Sequence, residues 1–135
     1  MAAPTPTEKL TQIGHDFVLT WDGHWAGTGE FTNTAIVDVS ADFSEYNDNS
    51  NVIVEELHLA ATAGIEVELE FDATTDEPLA VSPEGVASTI DRDFKDYPNG
   101  GMTAHGSGKT GDILLTTTGA ASGDRVFIQI KGTVW

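Results

Sequence analysis

Ile65-Glu-Val-Glu-Leu-Glu-Phe-Asp72 alternates apolar and acidic residues without a break. In an extended chain successive side chains point to opposite faces. Ile65, Val67, Leu69 and Phe71 therefore share one face, and Glu66, Glu68, Glu70 and Asp72 the other. This is an antiparallel strand with one face on a core and one in water. Upstream, Val52–Ala60 reads as its partner, joined through the turn Ala61-Thr-Ala-Gly64. Downstream, Arg125-Val-Phe-Ile-Gln-Ile-Lys131 alternates again, with Val126, Ile128 and Ile130 inward, and the strand can run on toward Trp135.

The same period appears in His15–Trp21, Thr34–Ser40, Ala87–Asp93 and Asp112–Thr117. Turn-forming clusters separate them: Asp22-Gly23, Gly27-Thr-Gly29, Tyr46-Asn-Asp-Asn-Ser-Asn51, Pro98-Asn-Gly-Gly101 and Gly119–Gly123. No helix is convincing. The expectation is one all-β domain, an antiparallel β-sandwich of seven or eight strands, jelly-roll-like or Ig-like, over residues 10–135. Residues 1–9, rich in Pro and Thr, read as an extended N-terminal arm. Residues 95–111 form a long glycine-rich loop.

Charge sets the functional boundaries. The chain has 135 residues and a formal net charge of −16. Between Lys9 and Arg92 lie 82 residues with no lysine or arginine and seventeen carboxylates. Those carboxylates stay solvated, gather cations, or face a basic surface elsewhere. Six Lys/Arg cannot supply the clustered cations that phosphate backbones require, so nucleic acid is excluded as a partner. An anionic membrane surface is disfavoured for the same reason, and no apolar run reaches spanning length. The start, Met1-Ala-Ala-Pro-Thr-Pro-Thr7, lacks the basic and apolar regions of a secretory leader. Zero cysteine removes disulfides and thiolate chemistry. High acid with little lysine also describes proteins adapted to concentrated salt.

Each chemical motif has a plainer reading. Gly106-Ser-Gly-Lys-Thr110 has the tail of a phosphate loop, but Thr103 stands where the first glycine belongs and a strand follows instead of a helix. The glutamate ladder is uniform, so nothing splits its pKa values into an acid and a base. It could gather a divalent cation, as could Asp91–Asp96 or Asn47–Asn51, although none has a complete calcium-loop pattern. His15, His24, His58 and His105 have no metal spacing, and no nucleophile–base pair can be assembled. The expectation is no catalytic residue, no metal and no cofactor. Trp21-Asp-Gly-His-Trp25 brackets a tight turn with two indoles, either buried at one end of the core or exposed as a platform for sugar rings.

Gly111-Asp-Ile-Leu-Leu-Thr-Thr-Thr-Gly-Ala-Ala-Ser-Gly-Asp-Arg-Val-Phe-Ile-Gln-Ile-Lys131 resembles the closing hairpin of small tailed-bacteriophage virion proteins, and Val67–Pro78 has a similar character. Together they cover about a quarter of the chain. Many of those proteins end in a basic cluster, whereas this one ends in Gly-Thr-Val-Trp135. The resemblance implies a non-enzymatic virion protein, a capsid decoration or cement protein. It would be made in the host cytoplasm and sit on the phage particle surface. Its implied partners are the major capsid protein or another virion protein, and it would be a homo-oligomer, with a trimer as one form. Phe31, Phe43, Tyr46, Phe94, Tyr97, Met102 and Trp135 are the candidate anchors, because aromatic residues dominate interfaces. Glu66, Glu68, Glu70 and Asp72 are the candidate acidic face. The alternative function is a carbohydrate- or receptor-binding module that uses exposed Trp21 and Trp25.

Overall fold

A computed structural model describes residues 4–43, 52–85 and 87–135. Among these residues lie nine strands: β1 (Thr7–Ile13), β2 (Asp16–His24), β3 (Thr34–Val37), β4 (Val52–Ala61), β5 (Glu66–Phe71), β6 (Glu77–Ser82), β7 (Ser88–Asp93), β8 (Ile113–Thr118) and β9 (Arg125–Val134). A single helical turn, α1 (Val39–Asp42), follows β3. The strands make two antiparallel sheets, β1-β2-β9-β4-β7 and β3-β8-β5-β6. Their pairing is nested: β2 with β9, β3 with β8, β4 with β7, and β5 with β6. That wrapping is the jelly-roll order, with β1 added at one edge.

The core follows from the alternation. Ile65, Val67, Leu69 and Phe71 of the first sheet strand read above are all buried, and they meet Leu57, Leu59, Ile128 and Ile130 from the other sheet. The surface area of 6831 Å² matches the roughly 6,800 Å² that mass scaling gives for a well-folded chain of this size.

Five readings differ from expectation. Val52–Ala60 is not the hairpin partner of Ile65–Asp72: β4 pairs with β7 and β9 and β5 with β6 and β8, so the connection at 62–65 crosses between the sheets. Thr7–Lys9, placed in the arm, pair with Asp22–Thr20, so the sheet begins within it. Asp22-Gly23 is not a turn: β2 continues to His24, paired with Arg125 on β9. Thr34–Ser40 is a strand only to Val37, because the Asp38 carboxylate accepts a hydrogen bond from the Ala41 N–H and starts α1. β6 was not anticipated, because its Pro78 argues against a strand; here β6 is an edge, where proline is tolerated.

Candidate functional site

The two outer sheet faces differ in charge. No lysine or arginine lies on β3, β8, β5 or β6, whereas Lys9, Arg92, Arg125 and Lys131 all lie on the five-stranded sheet. On the four-stranded sheet, Glu66, Glu68 and Glu70 point outward, half-buried, opposite Thr118, Thr116 and Leu114 of β8. On the β6 side, Glu68 faces Val81 and Glu70 faces Pro78. Burial raises the pKa of Glu70 above the usual carboxylate range, and the charges of Glu68 and Asp76 push it the same way. Burial first, and the neighbouring charges second, disfavour the ionised form of Glu70.

Asp72 does not belong to this face. Its carboxylate accepts a hydrogen bond from Thr110 Oγ1 at 2.9 Å, and its N–H donates to the Asp112 carbonyl at 3.0 Å. Arg125 and Lys131 serve the opposite sheet. Arg125 forms a two-point ion pair with Asp22 of β2, and Lys131 pairs with Glu56 of β4. Arg125 holds the Asp22 carboxyl below its usual range.

The outer face of the five-stranded sheet is polar and grooved. Register places Lys9, Thr20, Gln129, His58 and Asp91 in one row across all five strands. The next row is Thr11, Val18, Lys131, Glu56 and Asp93. His58 Nδ1 contacts Asp91 Oδ1, and the His58 ring meets Phe127 edge-on with centroids 5.9 Å apart. Lys95 Nζ lies 3.3 Å from Glu56 Oε1. A concavity of about 480 Å³ is centred on His58, Asp91 and Gln129, and a second of about 440 Å³ shares Val18 and Lys131 with it and runs to Ile13. A third, of about 330 Å³, is lined by Ala60, Thr89, Arg125 and Phe127. From the sequence His58 was weighed only as a metal ligand, and Phe127 was not singled out. The available signal was Phe127 itself, an aromatic in the outward phase of an otherwise polar strand face.

The aromatic candidates divide by burial. Trp21 and Trp25 are 1% and 2% exposed and pack with Phe31 in edge-to-face contacts at 5.4 and 5.9 Å, so they cannot serve as a sugar platform. The Trp25 Nε1–H donates to the Gly29 carbonyl. Phe43 and Phe94 are core residues, and Phe31 and Met102 pack against the core partly buried. Tyr46, like the Asn47–Asn51 segment, lies outside the described residues. Tyr97 and Trp135 are 49% and 59% exposed, and with Ile13 at 78% they line the same end of the five-stranded sheet. Trp135 stacks on His15 with ring centroids 4.0 Å apart.

The phosphate-loop-like segment binds an anion of the protein's own. The Glu77 carboxylate accepts hydrogen bonds from the N–H groups of His105 and Gly106 at 3.0 Å each. First the Gly106 and then the His105 bond lowers its pKa. β8 follows, not a helix. Among the described residues no group of three His, Cys, Asp or Glu could hold a metal ion, and no helix is long and apolar enough to cross a membrane.

No family model, curated protein or solved structure matches this chain, so its own residues carry the functional argument.

Proposed function

We propose that this chain is a non-enzymatic structural protein of a phage virion, a decoration protein that lays its four-stranded sheet against a basic surface of the capsid. The observation that carries this reading is the sorting of charge by sheet. Glu66, Glu68 and Glu70 stand on a half-buried, base-free face, while the ion pairs of Arg125, Lys131 and Lys95 are formed on or beside the other sheet. An acidic face whose strands carry no lysine or arginine suits a basic external one, and complementary charge would set register and association rate. Ile13, Tyr97 and Trp135 would add apolar contact between neighbouring copies or with the capsid. The partner is then the major capsid protein or another virion protein, the place is the particle surface, and the working form is a homo-oligomer.

Mixing the chain with undecorated capsids at graded salt tests this. Binding that falls with salt, and falls about tenfold or more on joint Glu66→Lys, Glu68→Lys and Glu70→Lys substitution, is expected. No binding at any salt concentration overturns the proposal.

A further inference from the structure

The two sheets end in four edge strands, and three of them are guarded against further pairing. β3 is four residues long with a register shift, and β6 carries Pro78 and a register shift. On β7 the Phe94 N–H that follows it bonds to the Glu55 carbonyl, so Ile90 and Arg92 turn their backbone groups to β4 and Thr89, Asp91 and Asp93 turn theirs outward. A second β7 centred on those residues would set Asp91 against Asp91. β1 has none of these guards: seven residues, no proline, no register shift, and one acid, Glu8, against one base, Lys9. We propose that the β1 edge pairs with the β1 edge of a second copy across a two-fold axis, joining two five-stranded sheets into one.

Hydrogen-bond phase decides which groups are open. The Val134 N–H donates to the His15 carbonyl, so odd-numbered residues of β2 turn their backbone groups to β9 and even-numbered ones to β1. Across the β1–β2 register, the residues bonded to β2 are therefore Thr7, Lys9, Thr11 and Ile13. The two-residue turn Gly14-His15, with Gly14 at φ 60°, suits Ile13 and Asp16 as its closing pair. The N–H and C=O groups of Glu8, Leu10 and Gln12 then point out of the sheet, and among the described residues no strand lies beyond them. In a two-fold antiparallel pair, the register centred on Leu10 matches every open residue with an open residue. Leu10 pairs with Leu10, and Glu8 with Gln12, each pair exchanging both backbone bonds.

Side-chain and charge complementarity choose a second copy as the occupant. In this register Glu8 stands opposite a Gln12 amide, Lys9 opposite a Thr11 hydroxyl, the partly buried Leu10 opposite its own copy, and the exposed Ile13 opposite Thr7. No like charges meet, and symmetry supplies each match twice. Contact through a strand of zero net charge also lets two bodies of −16 meet away from their acidic surfaces. A two-fold axis normal to the sheet keeps both copies the same way up, so both acidic four-stranded sheets face one side. The inference deepens the homo-oligomer of the reading above, and rests on that reading only for what the dimer does: two acidic faces bind one basic surface together.

Sedimentation equilibrium of the full chain, without capsids, tests the pairing. A monomer–dimer equilibrium is expected. Hydrogen exchange should slow with concentration at the Glu8, Leu10 and Gln12 amides, and not at Lys9 or Thr11, which are already bonded to β2. Thr11→Glu sets a carboxylate opposite Lys9 of the second copy, twice by symmetry, and should tighten the dimer about fivefold; Thr11→Lys should loosen it by a similar factor. Net charge alone predicts the reverse order, because Thr11→Glu adds to the −16 and Thr11→Lys subtracts from it. Thr11 is exposed, so neither variant disturbs the core. Gln12→Pro removes an outward donor and no β1–β2 bond, and should weaken the dimer too. The inference is overturned by a chain that stays monomeric up to about 1 mM, by a trimer, or by a dimer indifferent to the Thr11 substitutions. Capsid binding is measured apart, so either reading can fail alone.

Discussion

Gly23 explains why two tryptophans four residues apart, Trp21 in β2 and Trp25 just beyond its end, can both turn into the core. A Cβ at this position would lie 2.7 Å from the Trp21 ring and 3.0 Å from the Trp25 ring. Both indoles lean into the space that a side chain would fill. Gly23→Val should therefore overpack this end of the core and cost about 1–3 kcal/mol, seen as a lower urea midpoint with an unchanged slope. The inward phase of Phe17, Leu19 and Trp21 was already legible in the sequence, and Gly23 and Trp25 continue it. The Asp-Gly pair hid this, because the same dipeptide is a strong turn signal. Only the tertiary contact shows which role glycine has here. The exposure of a single tryptophan was equally unreadable: alternation says that Trp21 faces inward, but nothing local says that Trp135 stacks on His15 in the open.

At the scale of elements, strand periods were readable wherever apolar residues alternated with charge, as in β4, β5 and β9. The sequence was silent where the signal was local and mixed. β1 alternates Glu8, Leu10 and Gln12 with Thr7, Lys9, Thr11 and Ile13, so its two strong apolar residues fall on opposite faces, and pairing to β2 decides it. The partners of β9 were equally hidden, since sheet order is a non-local property: only the fold brings Arg125 to Asp22 and Lys131 to Glu56. The long loop at 95–111 also gains its order from outside itself. Met102 exchanges two backbone hydrogen bonds with Val54, and Thr74 N–H donates to the Ser107 carbonyl. The Glu77 latch closes the same contact. Its pKa is lowered in the fold, so its stabilising contribution is present above the usual carboxylate range and is lost as pH falls through the lowered value. Glu77→Gln should consequently lose stability near neutral pH, and the gap to the parent chain should close in acid. Hydrogen exchange at His105 and Gly106 should quicken in the variant, whereas the β9 amides should not change.

For the whole molecule, the acidic face has a cost that can be measured. The pKa of Glu70 is raised, so its ionised form opposes folding, and the penalty is absent below the usual carboxylate range and grows as pH rises through the raised value. Glu70→Gln should raise the melting temperature at neutral pH and not in acid. The gain should be small, because an exposed charge is worth at most about 1 kcal/mol. Salt acts on the same repulsion: with a net charge of −16, screening should raise the melting temperature of the isolated chain. Attachment to a basic capsid surface should respond with the opposite sign, weakening as the same salt screens the attraction. Measuring both against sodium chloride separates the two origins of the charge. A face kept for a partner gives stability rising and binding falling together, and the Glu66, Glu68, Glu70 triple glutamine variant should flatten both slopes. A composition shaped only by a saline medium would flatten the stability slope in that variant and leave capsid binding, and its salt dependence, unchanged.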